Sequence, residues 1–169
     1  RRYSKDKALA RLERQARELG LMDSITFTGA VYGEEKDRLM EAANLFVLPS
    51  RSENFGLVVA EALAAGVPVI ATQGTPWQEL MGQGDDDPSR DDLVVARTRV
   101  KREAGGRCGW WVEAGVAPLA EALLDAMSLT DEERCMMGKN GRRLVEMKYR
   151  WEAVAERMIA CYRSAGADD

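Results

Sequence analysis

The chain has 169 residues, of which 46% are hydrophobic and 31% are charged, a composition that suits one globular domain with a real core. A net charge of -4 gives no support for nucleic-acid binding, so no nucleic acid is expected among its partners. The sequence contains no histidine, and its cysteines have no C-x-x-C spacing. We therefore expect neither a His/Cys metal site nor a histidine-activated nucleophile. Any chemistry must rest on carboxylates, backbone dipoles or residues supplied from elsewhere.

The sequence also indicates where the protein resides. Its first residues are charged and include no apolar stretch of the kind found in secretory signals. The longest run without Lys, Arg or Asp is interrupted by Glu61 and contains glycine and proline, which is atypical of a membrane span. An odd number of scattered cysteines is typical of a reducing compartment. We therefore expect a cytoplasmic protein, either free or peripheral at the inner face of the membrane.

Taken in chain order, the apolar periodicity predicts alternating helices and strands. The predicted helices cover residues 6–19, 34–43, 57–65, 118–127, 130 to about 148, and 151–162. The predicted strands cover residues 25–28, 45–48, 67–71 and 109–112, and residues 76–81 are expected to form one or two helical turns. Residues 82–107 mix acidic and basic side chains, which indicates a surface insertion with a short strand at 93–95.

This alternation predicts an α/β fold, a Rossmann-like parallel sheet between two layers of helices. The strands at 45–48 and 67–71 are wholly apolar, as expected where a strand is buried on both faces. Parallel sheets bind ligands at the carboxyl ends of their strands. Residues 50–56, which follow the first of these strands, are therefore the predicted ligand loop, within a single domain that covers residues 1–169.

The predicted ligand loop leads into a helix at Gly56. A helix start offers free backbone N–H groups and a partial positive charge, and glycine lets a ligand approach closely, so a diphosphate is a natural guest. Glu53 lies in the loop, and Glu61 leans towards it from an otherwise apolar helix. Each carboxylate could accept hydrogen bonds from a polyol. On spacing alone, an ordinary loop carboxylate and an exposed surface glutamate are the commoner explanation.

The sequence PSRSENFGLVVAEALAAGVPVIAT, residues 49–72, resembles the nucleotide-sugar-binding signature of the family 4 retaining glycosyltransferases, which have the GT-B architecture. The E-x7-E motif of that family corresponds to Glu53 and Glu61. The segments ITFTG, NLFVLPS, GTPWQEL and CGWWV, and the helix from Trp151 to Tyr162, also resemble parts of the fold. Only about residues 82–107 lie outside the resemblance.

The resemblance implies a role for each matched residue. Glu53 is implied as the catalytic-site carboxylate that contacts the donor sugar, and Glu61 as the residue that holds the ribose hydroxyls. The loop backbone would surround the sugar and the diphosphate, and the segment after residues 25–28 would lie near the base. The implied donor-binding residues are Asn54, Phe55, Gly56, Leu57, Glu61, Ala30 and Val31.

The activity implied by the resemblance is transfer of a sugar from a nucleotide-diphosphate sugar donor to an acceptor, with retention at the anomeric carbon. No cofactor and no obligatory metal are implied, and the product would be a polysaccharide or a glycolipid. Two other functions stay open. One is a non-catalytic module that binds nucleotide sugars or another subunit, and the other is a GT-B epimerase or hydrolase that acts on the sugar nucleotide.

The resemblance covers only the second, donor-binding half of a GT-B enzyme. The relatives have two further strands before the helix at 6–19, and an Arg–Lys pair that neutralises the diphosphate; Arg1 and Arg2 do not sit in the required context. We therefore expect a sheet with a gap between residues 25–28 and 45–48. We also expect the N-terminal half to come from a longer chain or from another chain. The last helix should expose an apolar face that permits self-association.

A few further side chains are candidates for contact with a ligand. Trp77 lies beside the predicted ligand loop and is a candidate neighbour of the donor. Trp110 and Trp111 face opposite sides of a strand, so core packing explains them better than sugar stacking. Arg51 lies in the loop, where it could contact a phosphate or remain solvated.

Overall fold

The computed structural model describes residues 2–82 and 106–165, with side chains for residues 7–82 and 106–163. The strand predicted at 93–95 and nearly all of the insertion at 82–107 lie outside the described residues. Contacts divide the chain into two compact units, Arg1–Lys36 and Asp37–Asp169. The assignment of residues 1–169 to a single domain stays a prediction.

The first unit consists of a long helix and the segment that follows it. Helix α1, Arg2–Glu18, begins four residues before the predicted helix at 6–19 and stops one residue short of the predicted end. It ends at Gly20, whose φ of 68° lies in the left-handed region that favours glycine. The N–H of Leu21 donates to the carbonyl of Ala16 at 2.8 Å, which closes the helix end. A single 3-10 turn, Met22–Ser24, comes next.

Residues 25–28 do not form the predicted strand. Ile25 has extended backbone, with φ of -123° and ψ of 128°, but the described sheet contains no strand from this segment. The side chains of Ile25 and Phe27 are 38% and 37% exposed. Local residue preference makes the backbone extended, whereas a strand also needs ladder hydrogen bonds to a neighbour, which local sequence cannot supply.

The second unit is built on a parallel three-stranded sheet. Its strands β1, β2 and β3 are Phe46–Leu48, Val69–Thr72 and Gly109–Val112, and β2 lies in the centre. Every residue of β2 is buried, as predicted, but β1 is only half-buried, so its predicted burial on both faces is wrong. The reason is that β1 has one neighbour in the described sheet, and an outer strand is covered less than a central one.

Helices cover both faces of this sheet, which confirms the predicted layers. Helix α2, Gly33–Ala42, begins in the first unit and ends in the second. Helix α3, Leu57–Ala64, joins β1 to β2 and packs against α5, Asp131–Lys148. Helix α4, Val116–Met127, packs against β2 and β3, and α6, Trp151–Ala165, follows α5.

The residues of β2 alternate between two hydrophobic cores. Val69 and Ala71 enter the core that contains α3 residues such as Leu63, whereas Ile70 enters the core that contains Ala122 of α4. This alternation follows from the period of two along a strand. Helices therefore bury both faces of the central strand, which explains why its first three residues, Val69, Ile70 and Ala71, are apolar.

Helix α5 begins at a complete capping box and approaches α3 very closely. Thr130 Oγ1 accepts a bond from the N–H of Glu133 at 3.2 Å, and the Glu133 carboxylate accepts one from the N–H of Thr130 at 2.8 Å. Glycine weakens a helix interior, but here it permits contact. A Cβ on Gly138 would lie 2.2 Å from the carbonyl oxygen of Gly66.

Several apolar side chains remain exposed on the outer helices. On α6, Trp151 and Tyr162 are 83% and 71% exposed, as we expect for the open face of the last helix. Met137 lies in the core, but Met136 is 45% exposed. Among the helices that the structure describes, none combines the length and apolar character needed to cross a bilayer.

Candidate functional site

The predicted ligand loop lies at the carboxyl edge of the sheet, beside the loop that follows β2. The N–H of Glu53, in the loop after β1, donates to the carbonyl of Gly74, in the loop after β2, at 2.9 Å. The N–H of Gln73 donates to the carbonyl of Val112, at the end of β3, at 2.8 Å. The carboxyl ends of all three strands thus meet in one group of loops, where α/β folds bind their ligands.

Close packing fixes the first part of the ligand loop. Thr72 Oγ1 donates to the carbonyl of Ser50, and Ser50 Oγ donates to the carbonyl of Ser52 at 3.0 Å. A Cβ on Gly74 would lie only 2.3 Å from the carbonyl oxygen of Arg51. Only glycine fits at position 74, so the backbones of the two loops are in direct contact.

The ligand loop ends at Gly56, which begins α3 with a φ of 72°. A Cβ at Gly56 would lie 3.2 Å from Cγ of Glu53 and 3.4 Å from Nε1 of Trp77. The stem of Glu53 therefore packs against the first residue of the helix. The N–H of Val59 donates to the carbonyl of Gly56 at 2.8 Å. The N–H groups before it, at Gly56, Leu57 and Val58, have no acceptor within the helix and carry the positive end of its dipole. This junction can bind an anionic group beside a carboxylate.

Exposure along the junction differs from residue to residue. Between the loop and α3, the exposed residues are Glu53, Asn54 and Leu57. Phe55 is half-buried, and Gly56 is buried. Glu61 is exposed as well, on the same side of α3 as Leu57, whereas Leu63 is buried. The apolar neighbours of Glu61 in sequence suggested a buried setting, but they face the core while Glu61 faces solvent.

Three aromatic rings form a cluster behind the ligand loop. Phe55, Trp77 and Tyr149 have ring centroids 5.1 to 5.4 Å apart. Trp77 is fully buried, and its Nε1–H donates to the carbonyl of Phe55. Trp77 was a candidate for direct donor contact, but its burial rules out stacking on a ligand. It supports the loop from behind instead.

A polar cluster extends this support to the end of α5. Lys148 Nζ lies 2.6 Å from a carboxylate oxygen of Glu79, and Tyr149 Oη donates to the other oxygen at 3.0 Å. Burial, with the bond to Glu79, raises the pKa of Tyr149 to about 12. Burial, with the charge of Glu79, raises the pKa of Cys108 to about 12. Both groups are neutral at pH 7, so neither acts as a nucleophile there.

Sequence reasoning missed this polar cluster. In the sequence Glu79 is recognisable only as part of the GTPWQEL segment. No spacing rule connects it with Lys148, which lies on a helix far along the chain. The one available signal was the position of Trp77 and Glu79 directly after the loop that follows β2.

With this geometry in place, the chain can be compared with known proteins. A family model described as glycosyl transferases group 1 matches residues 5–144. The chain belongs to this family. The matched range includes the ligand loop, the start of α3 and the loop that follows β2.

Relatives of this chain share its sequence over nearly its full length. The GDP-mannose-dependent alpha-(1-6)-phosphatidylinositol monomannoside mannosyltransferase of Mycobacterium tuberculosis is 30% identical over 166 residues, which cover 94% of this chain and 37% of that protein. Sucrose-phosphate synthase from Thermosynechococcus elongatus superposes with a TM-score of 0.67 and 31% identity, over 95% of this chain and 35% of the other.

A third similar structure is Anabaena HepE in complex with UDP and glucose. Its TM-score is 0.66 at 20% identity, over 96% of this chain and 38% of HepE. The chain therefore has the Rossmann-like α/β fold of GT-B glycosyltransferases. It spans about a third of the length of the relatives that it matches.

Two further tryptophans, Trp110 and Trp111, pack in the hydrophobic cores, as predicted. Trp110 is 4% exposed and its Nε1–H donates to Asp125 Oδ2 at 2.7 Å. Trp111 is half-buried, and its Nε1–H donates to the carbonyl of Thr75 at 3.0 Å. Their entry into different cores confirms that adjacent strand residues face opposite sides.

The other predicted site residues are placed less specifically. Arg51 is exposed in the ligand loop. Ala30 and Val31 belong to the first unit, where Ala30 is exposed and Val31 is half-buried, and their role near the base stays a prediction. Among the residues that the structure describes, no group of Cys, Asp and Glu side chains could hold a metal ion.

Proposed function

We propose that this chain is the donor-binding half of a retaining glycosyltransferase that transfers a sugar from a nucleotide-diphosphate sugar to an acceptor. The observation that carries the proposal is the junction of Glu53 with Gly56, where a carboxylate stem packs against a helix start at the carboxyl edge of a parallel sheet. Family membership supports sugar transfer, and this junction supports the location of the donor.

In this proposal the start of α3 binds the diphosphate. The N–H groups of its first turn point at the phosphate oxygens, and the helix dipole favours their negative charge. Negative charge increases on the diphosphate as the bond to the sugar breaks. N–H groups already fixed in place stabilise that charge without reorganisation, so no metal ion or side-chain base is required for departure of the leaving group.

The exposed carboxylates take separate hydroxyl groups of the donor. Glu53 is beside the helix start, and its carboxylate contacts the sugar that is attached to the diphosphate. Glu61 lies about one turn into α3 and leans towards the helix start, where its two oxygens accept bonds from the vicinal hydroxyls of ribose. The backbone of Asn54, Phe55 and Leu57 encloses the sugar.

The donor class is supported by two of the similar proteins. One is named as GDP-mannose-dependent, and the structure of another contains UDP and glucose. Both names contain a nucleoside diphosphate and a hexose. We assign the same class of donor to this chain, with a glycolipid or polysaccharide as product and a cytoplasmic location, which the odd number of scattered cysteines in the sequence supports.

Nucleotide titration of Glu61→Ala tests this assignment. We expect wild-type protein to bind UDP, GDP or ADP in isothermal titration calorimetry, and Glu61→Ala to bind the preferred nucleotide about 10- to 100-fold more weakly, because hydrogen bonds to a charged group are lost. Glu121→Ala, an exposed glutamate on α4, is the matched control and should bind like wild type. Equal affinity in all three proteins would remove Glu61 from the site.

A transfer assay separates catalysis from binding. We expect that this chain turns over the donor only together with the N-terminal half of a GT-B enzyme, because that half is expected to bind the acceptor. When that half is added to the chain, the sugar should be transferred with retention at the anomeric carbon. NMR of the product measures its anomeric configuration. Nucleotide binding without transfer, even after this addition, would favour a non-catalytic binding module.

The apolar face of α6 is the proposed contact for the rest of the enzyme or for a second copy. It includes Trp151, Met158 and Tyr162, which are 83%, 51% and 71% exposed. Faces of this kind mark interaction sites. Light scattering should detect self-association at high concentration, and Trp151→Ser together with Tyr162→Ser should reduce it. A monomer at every concentration would argue against a second copy.

A further inference from the structure

We propose that Trp77 is a positioning residue of the donor site, and that its indole N–H sets the direction of the peptide group that joins Phe55 to Gly56. The inference rests on the proposed function of the ligand loop and adds a residue that does not contact the donor. Trp77 is fully buried and lies on the loop after β2, whereas Phe55 is on the loop after β1.

The hydrogen bond from Trp77 is the first step of the argument. Its Nε1–H donates to the carbonyl of Phe55, so a buried donor and a backbone acceptor satisfy each other. An indole N–H without a partner is costly in a buried position. The bond therefore holds the Phe55 carbonyl towards the core, on the side that faces Trp77.

Peptide geometry converts this carbonyl direction into an N–H direction. The peptide bond is planar and trans, so its C=O and N–H point to opposite sides. Cis peptide bonds are absent from the described residues. With the Phe55 carbonyl turned towards Trp77, the N–H of Gly56 must point away from it. Trp77 thereby fixes the direction of the N–H group at the start of α3.

The position of the indole ring supplies the second step. A Cβ at Gly56 would lie 3.4 Å from Trp77 Nε1, so the ring edge occupies the space directly behind this glycine. Gly56 has a φ of 72°. Because glycine permits many backbone conformations, the neighbouring peptide group could also adopt other orientations. Contact with the indole restricts a residue that would otherwise be the freest in the loop.

The ring itself is held by residues of α5 and of the turn after it. Tyr149, at the end of α5, lies 5.2 Å from Trp77 and 5.4 Å from Phe55 between ring centroids. Its hydroxyl donates to Glu79, which also pairs with Lys148. Trp77 is therefore fixed on both sides, by the loop in front and by α5 behind, and can transmit this rigidity to the ligand loop.

A fixed N–H direction matters because the first-turn N–H groups are the proposed phosphate ligands. Dipoles that are oriented before the ligand arrives stabilise its charge without a further cost of ordering. If the Phe55–Gly56 peptide rotated freely, the carbonyl oxygen could face the diphosphate and repel it. Loss of the indole N–H should thus weaken diphosphate binding although Trp77 does not touch the ligand.

The test compares Trp77→Phe with Trp110→Phe. Each change replaces an indole by a smaller phenyl ring in a core and removes one indole N–H. Trp110, however, donates to Asp125 and belongs to the other core. We expect both variants to melt at lower temperature than wild type. Only Trp77→Phe should bind the preferred nucleoside diphosphate more weakly, by about tenfold, in calorimetric titrations with UDP, GDP and ADP.

Hydrogen exchange gives a second measurement that does not depend on nucleotide binding. In protein without nucleotide, amides of residues 53–58 should exchange about tenfold faster in Trp77→Phe than in Trp110→Phe. If wild type binds no nucleotide, the proposed function fails, and exchange alone then decides whether Trp77 orders the loop. Equal exchange of residues 53–58 in the two variants, or equal nucleotide affinity where wild type binds, would overturn the positioning role.

Discussion

The two compact units carry similar apolar patterns but bury them to very different extents. In the second unit Leu63, Ile70 and Trp77 are fully buried. In the first unit Leu9 and Leu12 are 41% and 47% exposed, although the periodicity of residues 6–19 places both on one apolar face of the helix. Periodicity thus identifies which face of an element can be buried, whereas burial itself requires a partner that packs against that face.

The largest expected difference between the units comes from truncating a leucine in each. Leu63→Ala removes a fully buried side chain between α3 and α5 and should lower the free energy of unfolding by about 2 to 5 kcal/mol. Leu12→Ala removes a half-exposed side chain and should change the free energy of unfolding by only about 0.5 kcal/mol. Urea denaturation followed by circular dichroism measures both values. Similar losses would mean that the first unit has a core of its own.

Glycine substitutions should give a smaller difference in the same direction. Gly74→Ala places a Cβ 2.3 Å from the carbonyl oxygen of Arg51, which should cost about 3 kcal/mol and weaken nucleotide binding, because the ligand loop must move. Gly29→Ala meets no atom within 4 Å and costs only its left-handed φ of 70°, about 1 kcal/mol. Urea midpoints and calorimetric titration test the pair. A Gly74→Ala protein with unchanged affinity would contradict the close loop contact.

The smallest expected effect concerns alkaline pH. The folded-state pKa of Tyr149 is raised from 10.0 to about 12, so between these values the folded chain keeps a proton that the unfolded chain has released. This contribution is therefore present below pH 10 and lost as the pH rises towards 12. Cys108, raised from 9.0 to about 12, contributes with the same sign.

Above pH 10, Tyr149 and Cys108 together lower the free energy of unfolding as the pH rises. Tyr149→Phe should roughly halve this combined contribution, since only Cys108 then remains. Urea midpoints at a series of pH values from 9 to 11.5 measure the slope. Tyr32→Phe, which changes a 79% exposed side chain of the first unit, keeps both Tyr149 and Cys108 and should retain the wild-type slope. An identical slope in Tyr149→Phe would remove this phenol from the linkage.

Local patterns predicted most of the fold. The apolar runs at β2 and β3, the capping box at Thr130 and the α/β alternation all depend on neighbours in sequence, and all are present. The strand expected at 25–28 is absent because pairing depends on a second segment. The burial expected for β1 was wrong for the same reason, since a strand is buried on both faces only where neighbours cover it.

The candidate site was predictable only in part. Gly56 and the helix start follow from a glycine-containing loop before an apolar run, and the structure places them at the carboxyl edge of the sheet. The supporting residues were not predictable, because Trp77, Glu79 and Tyr149 meet only through packing between distant segments. Glu61 gave a misleading signal, since its apolar sequence neighbours face the core while its own side chain faces solvent.

The burial of Cys108 makes this thiol a kinetic reporter of opening. It is fully buried in the core beneath α3 and α5, and its pKa of about 12 keeps it protonated near neutral pH. A thiol reagent can therefore reach it only when the chain opens, so its labelling rate records how often that occurs. Cys135 and Cys161 are exposed and react without such opening. One chain thus contains both the slow reporter and its fast internal references.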